Sequence, residues 1–74
     1  MYSKLEKFDS GWVSLSLALA PDEIVVLRER LKELANGSLQ HFHIRCNNFD
    51  ADEGIADIEI SMTGVDSPQN MTID

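Results

Sequence analysis

Trp12-Val13-Ser14-Leu15-Ser16-Leu17-Ala18-Leu19-Ala20-Pro21-Asp22-Glu23 decides the fold, because the apolar spacing changes period at its end. Val13, Leu15, Leu17 and Leu19 alternate with Trp12, Ser14, Ser16 and Ala18, which predicts a half-buried strand with its leucines toward the core. Pro21-Asp22-Glu23 then opens a helix: a proline in the first turn sacrifices no hydrogen bond, and two carboxylates sit at the positive end of the helix dipole. Ile24, Leu27, Leu31 and Leu34 recur at helical spacing, with Val25 and Ala35 beside them. Arg28, Glu29, Arg30, Lys32 and Glu33 fill the other face, where the like-charged Glu29 and Glu33 suggest solvation rather than pairing. Asn36-Gly37 ends the helix, since glycine takes the left-handed conformation that follows a last turn.

Outward from this core, Tyr2, Leu5 and Phe8 predict a short edge strand, closed by the turn Asp9-Ser10-Gly11. On the C-terminal side, Phe42, Ile44 and Cys46 alternate with His41, His43 and Arg45. After a polar turn over 47–54, Ala56, Ile58, Ile60 and Met62 alternate with Asp57, Glu59 and Ser61. The two runs predict an antiparallel hairpin whose paired residue numbers sum to an even value, so that the apolar set stays on one face. A sum of 102 places Arg45 opposite Asp57, His43 opposite Glu59 and Ile44 opposite Ile58, whereas 100 places His43 opposite Asp57. The first is preferred because it matches charges with charges and aliphatics with aliphatics.

The predicted class is α+β, in the order β-β-α-β-β: one small, mainly antiparallel sheet with an amphipathic helix on its leucine face. Residues 1–64 form the single domain and 65–74 a polar tail, in which Val65, Met71 and Ile73 are the residues able to dock. One helix covers one face of a sheet. The other face would present Trp12, Ser14, Ser16, His41, His43, Arg45, Asp57, Glu59 and Ser61, a surface too polar for a core and too decorated for plain solvation.

Charge is segregated along the chain. Its 74 residues carry six Lys and Arg against thirteen Asp and Glu, a net −7, and the whole excess lies in 46–74, which has no base. Such a surface argues against nucleic acid and makes a basic protein the natural partner. The apolar run before Pro21 follows Lys4 and Lys7 and ends Ala18-Leu19-Ala20, as a secretion signal would. Glu6 and Asp9 cancel the lysines and serines interrupt the run, so the segment is read as part of the domain. Its length is too short for a membrane span. Cys46 is the one cysteine, which excludes an internal disulfide and a multi-thiolate zinc site and makes the cytoplasm the expected compartment.

Several residues invite a chemical reading. His41 and His43, two apart on a strand, aim to one side, and Asp57 or Glu59 on the neighbouring strand would complete a nitrogen and carboxylate set for zinc. The plainer reading, adopted at this level, is a pair of surface histidines facing carboxylates, with no cofactor and no catalytic residue. Acid–base cleavage of a phosphodiester by the same histidines conflicts with the acidic surroundings. Cys46 shares parity with Phe42 and Ile44 and reads as a structural thiol. Asp50, Asp52 and Glu53 lack the spacing of a calcium-binding loop and read as a solvated tip able to meet a partner. Trp12 is either a packing residue or an interface anchor.

The order of strand, Pro-Asp-Glu-started helix, His41-Phe42-His43-Ile44 and Gly54-Ile55-Ala56-Asp57-Ile58-Glu59-Ile60 resembles small bacterial immunity proteins of polymorphic toxin systems, over residues 12–62. That resemblance implies an α+β fold and neutralisation of a cognate toxin by direct binding. The expected function is therefore a non-enzymatic immunity or inhibitor protein that contacts a basic toxin. Partner-binding candidates are Asp50, Asp52, Glu53, Trp12, His41, His43, Asp57 and Glu59. A homodimer whose open face serves assembly is the alternative, and a metal-dependent hydrolase using His41 and His43 a third.

Overall fold

The computed structural model describes residues 1–74. Five elements follow the expected order: β1 (Tyr2–Lys7), β2 (Val13–Ala18), α1 (Pro21–Ala35), β3 (His41–Arg45) and β4 (Asp57–Ser61). The fold is α+β, but the strands do not join into one sheet. β1 pairs with β2 and β3 with β4, as two separate antiparallel hairpins. Every strand is consequently an edge strand, with one row of backbone donors and acceptors outside any ladder.

In the first hairpin Leu5 lies opposite Leu15 and Ser3 opposite Leu17. Parity puts Tyr2 and Phe8 on the other face from Leu5, so the three do not form one stripe. The connection is tight: the Phe8 amide donates to the Trp12 carbonyl at 2.9 Å, and Gly11 adopts a φ of +94°, a left-handed conformation natural to glycine. The second hairpin takes the register that sums to 102, with Phe42 opposite Ile60, Ile44 opposite Ile58 and Arg45 opposite Asp57. One more bond, from the Cys46 amide to the Ala56 carbonyl at 2.9 Å, extends it toward the long loop.

The helix starts as its sequence predicts. Its N-cap, Ala20, has no side-chain acceptor, but Glu23 reaches back and accepts the Ala20 amide at 2.9 Å. The same carboxylate receives the Met1 ammonium at 2.9 Å, tying the first strand to the helix start. These two donors, the Ala20 amide first, hold the Glu23 carboxyl below the ordinary carboxylate range. On the outer face Arg30 and Glu33 pair at 3.0 Å and Arg28 and Glu29 at 3.7 Å, so pairing accompanies solvation there.

The core is far smaller than the apolar pattern predicts. Leu34 is the one buried residue; Leu17, Leu27, Leu39, Phe42, Ile44, Ile58 and Ile60 are half-buried. Leu5, Leu15, Ile24 and Leu31, predicted or paired to face inward, stay 42–54 % exposed. Cys46 is half-buried rather than in a core, its thiol donating to the Asn48 carbonyl at 2.8 Å. Within the tail, Val65, Met71 and Ile73 do not dock. The reason is architectural: with the hairpins unjoined, no continuous sheet face exists for the helix to cover. The radius of gyration is 14.4 Å, against about 11 Å for a compact chain of this length.

Candidate functional site

The outward face of β3–β4 carries the densest polar constellation. Strand alternation turns His41, His43 and Arg45 to one side, and the register sets Ser61, Glu59 and Asp57 across from them. The closest contact to His43 is diagonal: its Nδ1 meets the two Asp57 oxygens at 2.9 and 3.0 Å. Glu59, directly opposite, stands 3.8 Å from His43 Nε2. Arg45 Nε donates to Asp57 Oδ1 at 3.3 Å, so one carboxylate holds both an imidazole and a guanidinium. An ionised carboxylate only accepts, which places a proton on His43 Nδ1. In the neutral ring Nε2 then carries the free lone pair on the side of Glu59.

His41 behaves differently. It makes no side-chain hydrogen bond, and its ring stands edge-on to His43, centroids 5.1 Å apart and planes at 88°. One donor atom each from His41, His43 and Glu59 nevertheless falls within 4.8 Å of the others. Asp57 lies outside that trio and acts on it through His43.

The acidic loop between β3 and β4 is a second, separate feature. Its chain bends where the Asp50 amide donates to Asn48 Oδ1 at 3.0 Å. Asp50 and Asp52 are exposed and make no ion pair, while Glu53 lies 3.8 Å from Lys7 of β1, the one cross-hairpin ion pair. Trp12 is a third feature. At 79 % exposure it projects from the first hairpin's turn, and because that hairpin forms its own sheet, Trp12 does not share a sheet face with His41 and His43 as the single-sheet reading expected.

One feature escaped the sequence reading: a cleft of about 600 Å³ between the start of β1, the helix and β3, lined by Tyr2, Val26, Leu27, Phe42, Ile44 and Ile58 among others. Its lining is drawn from elements up to 56 residues apart in number, from Tyr2 to Ile58, which no local periodicity reports. The contact of Arg45 with Asp57 follows the register expected from the sequence, which sets the two opposite each other. No helix is long and apolar enough to cross a membrane. No protein family, curated protein or solved structure matches the chain.

Proposed function

We propose that this chain is a non-enzymatic protein-binding domain, an immunity or inhibitor protein that masks a basic toxin, whose fold is completed by association. The observation that carries the binding role is its accessible surface of 6799 Å², when a folded monomer of this mass exposes about 4,600 Å². The excess, about 2,200 Å² on this one chain, is the size of one partner's share of a large obligate interface, whose total over both partners runs to about 5,000 Å². The tail contributes part of it. Leu5, Leu15, Ile24, Val26 and Leu31, each 42–56 % exposed, contribute where a core would lie.

Charge selects the partner. Residues 46–74 hold seven acids and no base, so Asp50, Asp52 and Glu53, the last also 3.8 Å from Lys7, steer a basic protein toward the second hairpin. Co-purification from native host lysate should retain a strongly basic protein. Replacing the three with Asn, Asn and Gln should leave folding intact, slow association and flatten its salt dependence. A captured partner that binds the triple variant at an unchanged rate, with unchanged salt dependence, rules out the acidic loop as the contact.

A homodimer is favoured by a different observation. Eleven of the sixteen exposed large apolar side chains lie within residues 1–45, where six acids balance six bases, so this region brings no net charge of its own to a contact with a second copy. Sedimentation should show a dimer at micromolar concentration; a monomer there leaves this face to the heterologous partner.

A further inference from the structure

We propose that His41, His43 and Glu59 bind a divalent transition ion of the zinc type on the outward face of β3–β4. Two imidazoles and a carboxylate are a ligand set that suits zinc, and the three come from two paired strands rather than a loop, which fixes their spacing. Zinc bonds of about 2.0–2.1 Å in tetrahedral geometry separate neighbouring ligand atoms by about 3.3 Å. His43 Nε2 and Glu59 Oε1, at 3.8 Å, are already close to that distance. His41 completes the trio within 4.8 Å, and both His41 and Glu59 are exposed, which leaves their side chains room to turn toward an ion.

The second observation is the support behind the ligands. Asp57 accepts from His43 Nδ1 at 2.9 Å and thereby aims the unprotonated Nε2 at the ion, the carboxylate–histidine–metal arrangement that orients and strengthens an imidazole ligand. Arg45 holds Asp57 in turn at 3.3 Å. A simple surface ion pair accounts for His43, Asp57 and Arg45, whereas the His41 side chain makes no hydrogen bond and only stands edge-on to His43, which leaves its ring nitrogens free for an ion. Three protein ligands on an open face leave a fourth position for water. This proposal does not depend on the identity of any protein partner.

Titration of the full chain with zinc and with cobalt tests it. One equivalent should bind at micromolar protein, cobalt should give the intense visible band of tetrahedral coordination, and the NMR signals of both histidine rings should move. His41→Ala, His43→Ala and Glu59→Gln should each abolish stoichiometric binding with an unchanged circular dichroism spectrum. Asp57→Asn should retain the cobalt band and weaken binding about 10–100-fold. The triple substitution of Asp50, Asp52 and Glu53 should bind as the wild type does. Absence of stoichiometric binding by the folded wild type, binding that survives His41→Ala, or binding lost in the loop variant would each overturn the assignment.

Discussion

The two hairpins share a backbone plan and differ in what sets their register. β1 and β2 are joined by five residues and β3 and β4 by eleven. A short connection with a left-handed glycine dictates how its strands meet, because few turn geometries close over that length. An eleven-residue loop dictates little, so register in the second hairpin falls to side-chain pairs: Ile44 with Ile58, Phe42 with Ile60, and Asp57 with both His43 and Arg45. The first hairpin has no cross-strand ion pair of its own and exposes Leu5, Leu15 and Val13. One hairpin therefore takes its register from its turn and leaves its apolar side chains exposed, while the other takes it from apolar and polar cross-strand pairs together.

The largest expected effect tests the covering surface. On the proposed association, which would cover Leu15, Leu15→Ala should destabilise the protein by about 2 kcal/mol, with a midpoint that depends on protein concentration. Thermal melts over a concentration series measure both. A concentration-independent loss below about 0.5 kcal/mol, the level of an ordinary surface substitution, would mean that the first hairpin's apolar face stays wet.

Next come the turns. Gly11→Ala forces a side chain into a φ of +94° and should cost about 1 kcal/mol by denaturant titration, although nothing lies near the added Cβ. Gly54→Ala, in the long loop, meets neither strain nor a neighbour and should change stability by less than about 0.5 kcal/mol. Equal costs would show that the second loop also constrains its strands.

Within the second hairpin, Asp57→Asn should cost about 0.5–1 kcal/mol because it weakens the contacts to both the Arg45 guanidinium and the His43 ring at a half-exposed site, and Glu59→Gln less than about 0.5 kcal/mol. Reversal of that order would mean that His43 pairs directly across the ladder with Glu59 instead of along the diagonal with Asp57.

The smallest effect links the first hairpin to the helix. The folded pKa of Glu23 is depressed, so its contribution is complete above the ordinary carboxylate range and is lost as pH falls through the lowered value. Glu23→Gln should flatten this part of the acid limb of a stability profile by lowering stability slightly at neutral pH while leaving the acid end unchanged. An unaltered acid limb would detach Met1 and Ala20 from the account.

Local physics made much of this legible. The strand–helix switch at Ala20-Pro21, the helix end at Asn36-Gly37 and the register of β3 on β4 follow from periodicity, turn chemistry and parity, which act between neighbours in the chain or across one hairpin. The gathering of His41 and His43 beside Asp57 and Glu59 was legible for the same reason, but which carboxylate joins the two rings was not. The diagonal reach of His43 to Asp57 was not, because strand twist and rotamer choice decide between an opposite and a diagonal carboxylate.

What the amino-acid order determined by itself is the sequence of elements, the acidic C-terminal half and the pairing inside the second hairpin, since each depends on short-range spacing. Only the tertiary structure decided that the hairpins stay apart, that Trp12 is separated from the histidines and that one leucine is buried where a stripe of four was expected. Joining two hairpins requires backbone edges far apart in the chain to meet over a covered apolar face, and 74 residues with one helix do not supply that cover.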